Sequence, residues 1–342
     1  MPLVSVLLPV YNDSKTVVQS IRSILGQTFR DFELVIVDDG SADNTPQIVG
    51  SFEDPRIHLI ANERNLGLAP TLNRAIGVAS GDYLARQDAD DIALPHRLEK
   101  QVVFLRSHPD VAMVGSRAIV IDEQGLEKGL WDYPPIDDID IKWNLLFRNP
   151  FIHSSVMMRR VVLDRTGLYT EDPVIFRAFV EDYDLWSRIN EVAKSANFEE
   201  PLLKYRVSAT SATSRTFAEQ LRQARLISQR NICRLLRWDR IDVACWQGLE
   251  RFLYHPVRQE LDLTSAEVNC TLNFLTTIHE TFCSKYGLAK REAAAHRLRV
   301  FWPWGKHALA LSYRGNGRRD AACRFSLFAG GAKLVAKALR PA

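Results

Sequence analysis

Apolar and polar positions follow two different periods along the first two hundred residues. Leu3–Pro9 is a nearly continuous apolar run, the pattern of a strand covered on both faces. Val17, Ile21, Ile24 and Leu25 then recur at helical spacing, and Glu33–Val37 is a second buried-type strand ending in Asp38-Asp39-Gly40. Asp43-Asn44-Thr45-Pro46 sets a cap and a first-turn proline before a helix reaching about Phe52. Ile57–Ile60 reads as a third strand, Leu68–Ala79 as a helix, and Tyr83–Gln87 as a fourth strand running into Asp88-Ala89-Asp90-Asp91. This alternation predicts βαβ units and a mainly parallel sheet, with ligands bound beyond the carboxyl ends of its strands. Three of the four strands run into Tyr11-Asn12-Asp13, Asp38-Asp39 and Asp88–Asp91, so these loops are expected to converge on one edge.

The pattern continues with a helix over Pro95–Ser107, a strand over Val111–Ile121 turned back at Gln124-Gly125, and a helix near Ile136–Phe147. A strand around Ser154–Met158, a helix over Glu181–Val192 and an extended segment over Pro201–Val207 follow. After the Ser/Thr-rich stretch Ser208–Thr216, helical spacing takes over from Phe217, Leu221, Ala224 and Ile227, with breaks at Pro256 and Pro303. The 342 residues therefore divide, on sequence, into an α/β domain over 1–210 and a mainly helical region over 211–342.

Charge sharpens that division. Residues 1–202 hold 20 Lys+Arg against 31 Asp+Glu (net −11), and residues 203–342 hold 24 against 10 (net +14). The acidic part suits a metal and the basic part an anionic surface. A composition of 46% hydrophobic and 25% charged residues excludes disordered, collagen-like and disulfide-scaffold proteins. The apolar runs fall well short of the ~20 residues a spanning helix needs. Met1 leads directly into strand-like sequence, which predicts no signal peptide. Five cysteines, an odd number with no C-x-x-C pair, read as reduced thiols of a cytoplasmic protein.

Asp88-x-Asp90-Asp91 offers three carboxylates over four residues. An oxygen-only ligand set suits Mg²⁺ or Mn²⁺ rather than zinc, and a solvated acidic turn before the Pro95 helix is the plainer alternative.

Eight segments in order resemble family 2 glycosyltransferases of the GT-A type, the inverting group that builds bacterial surface glycans. They are Val4–Asn12, Ser23–Phe29, Phe32–Ser41, Asn65–Leu68 with Asn73, Gly81–Asp91, Pro95–Gln101, Asn149–Ser155 and Glu181–Trp186. The resemblance covers roughly residues 3–207. It implies a GT-A nucleotide-binding, mostly parallel sheet flanked by helices, and a non-processive transfer of sugar from a nucleotide-diphosphate donor, UDP-sugar first, to a glycan or lipid-linked acceptor.

The resemblance also assigns roles. Pro9, Tyr11, Asn12, Asp38 and Asp39 are implied to hold the nucleotide, and Asp88 to face its ribose and the metal. Asp90 is implied as the metal ligand, with Asp91 behind it and Mn²⁺ or Mg²⁺ as cofactor. Asn73 is a weaker donor contact or a packing residue. Asp182 is implied as catalytic base. His153, Glu181 and Trp186 could face the acceptor, and packing explains His153 and Trp186 equally well. Two departures stand out: Ser208 follows Tyr205-Arg206-Val207 where many relatives have His, and Arg234-Leu-Leu-Arg-Trp238 lacks the Gln of the processive motif.

Competing readings are a nucleotide-sugar-binding protein without transferase activity and a nucleotidylyltransferase-like enzyme; the latter is disfavoured by the glycine-free loop after the first strand. Residues 281–342, with 13 Lys+Arg against 2 Asp+Glu and the aromatic run Phe301-Trp-Pro-Trp304, predict docking on an anionic membrane surface, such as the cytoplasmic face of the inner membrane, or on a membrane-bound partner; a solvated basic face with the tryptophans in a helical core is the plainer alternative, and nucleic acid is not an expected partner.

Overall fold

The computed structural model describes residues 1–172, 179–208, 212–254, 265–297 and 300. The chain divides into two compact units, 1–228 and 229–342. The division falls inside a helix that begins within the Ser/Thr-rich stretch.

The first unit is built on one nine-stranded sheet. Its strands are β1 (Val4–Val10), β2 (Phe32–Asp38), β3 (Ile57–Ala61), β4 (Tyr83–Arg86), β5 (Ile92–Ala93), β6 (Val111–Ile121), β7 (Glu127–Trp131), β8 (Met157–Arg159) and β9 (Lys194–Arg206). The spatial order is 3-2-1-4-8-6-9-5, with β7 paired to β6. Strands 3, 2, 1 and 4 are parallel, as are β6 and β9, and β8 enters antiparallel between β4 and β6.

Side chains of β1 alternate between two cores, as the two-residue period of a strand requires. Leu7 joins Leu72, Ala75, Leu185 and Trp186 on one face, under α3 (Leu68–Val78) and the helix Glu181–Val192. Val4, Val6, Leu8 and Val10 join Ile21, Ile24, Leu98 and Val102 on the other, under α1 (Val17–Leu25) and α4 (Arg97–Ser107). Both faces are covered, which is why the strands read as continuous apolar runs; each buried aliphatic side chain contributes about 1.5–3 kcal/mol.

The remaining helices of this unit are α2 (Thr45–Gly50), α5 (Asp138–Asn144), α6 (Leu163–Thr166) and α7 (Glu181–Val192), and α8 (Ala212–Leu236) closes it. Three expected elements differ in extent. The helix near Ile136–Phe147 is regular only over α5, which starts where Asp137 caps it through the Asp140 N–H at 3.0 Å. His153–Ser155 is a 3₁₀ turn, and the strand begins after it at Met157. The last strand starts at Lys194 rather than Pro201, because its polar first half pairs with Val111–Ser116 of β6.

The second unit is helical. Its described part holds the end of α8, then α9 (Val243–Tyr254), α10 (Ser265–Lys285) and α11 (290–297). Trp246, Leu249, Leu275, Ile278 and Phe282 are buried, and the Trp238 and Phe274 rings stack at 5.9 Å. No described helix is long and apolar enough to cross a membrane. The Phe301–Trp304 segment and the basic tail lie outside the described residues.

Candidate active site

Parallel pairing brings the ends of β1, β2 and β4 to one edge of the sheet. The Asp39 N–H bonds the Val10 carbonyl at 2.8 Å, and the Gln87 N–H bonds the Leu7 carbonyl at 3.0 Å. The loops after these strands then clip to one another. Asn12, in the left-handed region at φ 50° that Asn tolerates, donates its N–H to Ser41 Oγ at 2.9 Å and accepts from the Ala42 N–H at 2.8 Å. Gly40 has φ 72°, and a Cβ there would lie 2.6 Å from the Arg64 backbone, so the turn admits only glycine without a shift.

Within the Asp38-Asp39 pair the two carboxylates are engaged differently. Asp39 accepts from Asn62 Nδ2 at 2.7 Å and from the Leu66 and Gly67 N–H groups at 2.9 Å each, so it holds the 62–67 loop. Asp38 Oδ1 accepts from the Ser41 hydroxyl at 2.5 Å, and no described residue donates to its Oδ2. Pro9 is buried in β1 opposite Val37, while Tyr11 stands at the strand end with 49% of its surface exposed.

After β4, the acidic loop is folded around buried cations. Arg86, itself buried, donates from Nη2 to Asp88 Oδ1 at 2.5 Å. Asp91 is buried and accepts from the Arg206 N–H at 2.8 Å and from Ser154 Oγ. Asp90 lies between: its backbone carbonyl accepts from Arg206 Nε at 2.8 Å, but no other described residue hydrogen-bonds its carboxylate. Burial, reinforced by Asp88 and Asp13, pushes the Asp90 carboxyl up to about 7, and burial raises Asp13 as well. The Asp90 carboxylate, crowded by Asp88 and Asp13 and bonded by no described side chain, is an oxygen donor of the kind a hard divalent cation takes, so it fits Mn²⁺ or Mg²⁺ with Asp88 beside it.

Asp182 sits in the first turn of α7, half-buried. Its Oδ2 accepts from Asn149 Nδ2 at 2.7 Å and its Oδ1 from the Tyr183 N–H at 2.6 Å. Burial raises its pKa to about 6, against those two hydrogen bonds, with Asp88 adding to the rise and Arg86 opposing it. Glu181 is fully buried with Oε2 lacking a hydrogen bond, and burial next to Asp182 pushes it up to about 8. Burial raises both neighbours, Glu181 the further, so Asp182 is the more readily ionised of the two.

For two of the expected residues the packing alternative matches the contacts they make. Trp186 is 0% exposed, packed edge-on against Phe151, His153 and Tyr169; it is a core residue with no face to offer an acceptor. Asn73 spends both amide N–H groups on the Tyr169 carbonyl and Glu171 Oε1, at 2.9 Å each, and accepts from the Tyr169 N–H at 3.1 Å, so it clamps the 169–171 segment rather than reaching a donor. His153 shares a 3.0 Å hydrogen bond with the Tyr169 hydroxyl, and burial and Arg86 hold its pKa well below the ordinary value.

Comparison with known proteins bears directly on this arrangement. The profile of Glycosyl transferase family 2 matches residues 5–167. The putative glycosyltransferase EpsE of Bacillus subtilis (strain 168) is 37% identical over 240 residues, spanning 69% of this chain and 84% of that one. The chain belongs to glycosyl transferase family 2. Another relative, the Escherichia coli UDP-Glc:alpha-D-GlcNAc-diphosphoundecaprenol beta-1,3-glucosyltransferase WfgD, is 36% identical over 226 residues, 65% of this chain and 83% of the relative. Among solved structures, S. aureus TarS 1–349 in complex with UDP-GlcNAc superposes with a TM-score of 0.58 at 16% identity, covering 98% of this chain and 91% of that one, which shows the shared GT-A fold. The protein is a glycosyltransferase.

Several residues that shape this transferase site escape sequence inspection. Arg86 reads as an ordinary β4 residue, yet its charge bears on Asp88, Glu181 and Asp182. Arg97 is fully buried, bonding Gln87 Oε1 at 2.7 Å and the Arg86 carbonyl at 2.5 Å, and burial lowers it to about 9. Asn149 opens a segment already visible as a motif, but its bond to Asp182 is a tertiary contact. Asp13 carried a signal, lying in a strand-end loop of the expected convergence.

Proposed function

We propose that this transferase is inverting, metal-dependent and non-processive, moving one sugar from a nucleotide-diphosphate donor, a UDP-sugar first, to a glycan or lipid-linked acceptor. The observation that carries the reading is the oriented, half-buried Asp182 carboxylate with its pKa near 6, beside the Asp88–Asp91 loop. Residues 1–210 form the catalytic domain in this reading, and the basic region 211–342 serves acceptor, membrane or oligomer contacts.

Asp182 takes the proton of the acceptor hydroxyl as its oxygen bonds the anomeric carbon. The bond from that carbon to the diphosphate breaks on the opposite face, and its electron pair leaves with the nucleotide. A base so placed contributes about 10²–10⁴-fold. Asp38 Oδ2 is available to accept from a base N–H, Tyr11 to cover the ring, and Pro9, Asn12 and Asp39 to shape the loops around it. Asp90 with Asp88 would hold the Mn²⁺ or Mg²⁺, and Asp91, locked to Arg206 and Ser154, fixes the turn behind them. The ion supplies charge neutralisation for the diphosphate leaving group. Glu181 and His153 line the acceptor side.

The relatives support the substrate class: WfgD is named for UDP-Glc and a diphosphoundecaprenol-linked acceptor, and TarS was solved with UDP-GlcNAc. A lipid-linked acceptor fits peripheral attachment at the cytoplasmic face of the inner membrane. The test is transfer from a panel of UDP-, dTDP- and GDP-sugars to a polyprenyl-diphosphate sugar, with and without Mn²⁺, reading the anomeric configuration by NMR. Inverted product formed only with metal is expected; retained configuration, or equal turnover in chelator, would overturn the mechanism.

A further inference from the structure

The helical unit carries a second convergence of donor atoms, away from the acidic loop in the chain and of different chemistry. His279 and Cys283 stand four residues apart on α10, so both side chains leave one face of that helix, and His296 comes from α11. They are 2%, 8% and 1% exposed. His279 Nε2 lies 3.1 Å from His296 Nδ1 and 3.6 Å from Cys283 Sγ, and one donor atom from each residue lies within 4.8 Å of the others. We propose that His279, Cys283 and His296 bind a divalent transition metal, zinc in the first instance, that fastens α10 to α11.

The distances support it. With zinc bonded at about 2.0–2.1 Å to nitrogen and about 2.3 Å to sulfur, tetrahedral geometry sets two ligating nitrogens roughly 3.3 Å apart and a nitrogen–sulfur pair roughly 3.6 Å apart. A hydrogen-bonded histidine pair explains the first contact alone. The thiol lies 3.6 Å from Nε2 and 3.7 Å from Nδ1 of the His279 ring, and an ion seated between the two rings and the sulfur would gather all three side chains.

The chemistry agrees. Two imidazoles and a thiolate are a borderline-to-soft set that selects zinc, unlike the oxygen-only acidic loop. The residue that follows His296 is the cation Arg297. Arg297 is itself paired with Glu280 at 3.3 Å. Burial raises the Cys283 thiol, so binding would release its proton and leave a thiolate on the metal.

The experiment uses the full chain, stripped with chelator, desalted and reloaded with Zn²⁺ or Co²⁺. One zinc per chain should survive gel filtration, and the cobalt form should show the intense visible bands of tetrahedral Co²⁺ with a near-ultraviolet thiolate charge-transfer band. Losing an outer-shell partner already costs about 10–100-fold in metal affinity, so Cys283→Ser should weaken zinc at least that much and abolish the charge-transfer band. Asp90→Asn should keep both, separating this site from the acidic loop. Folded parent that retains no zinc, a pale octahedral cobalt spectrum, or a Cys283→Ser protein with the parent's zinc affinity would each overturn the proposal. Should Cys283→Ser fail to fold, His296→Gln and the parent's cobalt spectrum decide by the same criteria.

Discussion

Asn149 Nδ2 donates to Asp182 Oδ2 at 2.7 Å, and Asn149 Oδ1 is itself held by the Phe151 N–H at 3.1 Å. The amide therefore cannot rotate without losing one of the two bonds, and the carboxylate it faces is fixed in direction. Asn149 is a positioning residue in the sense that it acts through Asp182. The bond favours the ionised carboxyl and so lowers a pKa that burial raises.

Asn149→Ala removes that lowering influence. The Asp182 pKa should rise above about 6, and the acid limb of the transfer-rate profile should move to higher pH. Losing two modest hydrogen bonds should cost about 1–3 kcal/mol of stability. A pH–rate series on the variant checks this; an acid limb left at the parent's position would show that Asn149 does not tune Asp182.

The parent's own limb follows from the raised Asp182 value. Below pH 6 the carboxyl takes up its proton and cannot accept another, so transfer should fall about tenfold per pH unit, while above 7 this group imposes no loss. The stability consequence has the opposite sense from the usual carboxylate. A folded-state pKa raised from 3.8 means the folded chain holds this proton more tightly, so stability is lost as pH climbs from about 4 to about 6. Asp182→Asn should lower transfer by roughly 10²-fold or more, erase the limb and keep donor affinity. Thermal melting at pH 7 should show no loss. Parent-like turnover would place the base elsewhere.

How far the sequence foretold this site depends on range. The α/β order, the strand-end loops and the helix Glu181–Val192 were legible because two-residue and 3.6-residue periods are local signals. The family segments then singled out Asp88, Asp90 and Asp182. What stayed hidden is tertiary. Trp186 lies in the same motif as Asp182, and only the fold shows one side chain entering the core and the other staying half-buried against Asn149. Arg206 reaches Asp90 because the two-residue strand β5 pairs antiparallel with β9, and a strand that short has no period to read.

Asp90→Asn tests the acidic loop. Neutralising the carboxylate raised by burial and by Asp88 and Asp13 removes a repulsion, so the fold should persist and melting should not fall. UDP affinity measured calorimetrically in Mn²⁺ should collapse toward the metal-free value. Equal affinity in the variant and the parent would remove Asp90 from the metal site.

The basic C-terminal region invites a separate measurement. Residues 281–342 carry a net charge of +11, and each Lys or Arg near an anionic leaflet contributes about 1 kcal/mol within a Debye length. The full chain should co-sediment with anionic vesicles at low salt and release as salt rises. A chain ending before Arg299 should bind markedly less. Absence of binding, or binding unchanged by the deletion, would sink the membrane reading.

Arg206 joins α1, the acidic loop and the turn at 122–123. Buried at the end of β9, it donates from Nε to the Asp90 carbonyl at 2.8 Å, from Nη1 to the Asp122 and Glu123 carbonyls at 2.9 and 3.0 Å, and from Nη2 to Gln19 Oε1 at 2.8 Å. Its charge also lowers the pKa of Asp13 and Asp90, opposing the burial that raises both. Arg206→Ala removes four hydrogen bonds from a charged donor and should cost about 2–4 kcal/mol, since bonds to a charged donor are worth about 1.5–3 kcal/mol and water can reach these partly exposed acceptors. It should also raise the Asp13 and Asp90 values further, weakening Mn²⁺-dependent UDP binding at neutral pH. Arg206→Lys separates the two effects: one ammonium cannot span four acceptors in a planar fork, but it restores the positive charge. Melting should stay depressed in the lysine variant while metal-dependent UDP affinity partly recovers. Wild-type melting in Arg206→Ala would show that the four bonds carry no net stability, and lysine and alanine variants with equal UDP affinity would show that the charge at this position does not tune the acidic loop.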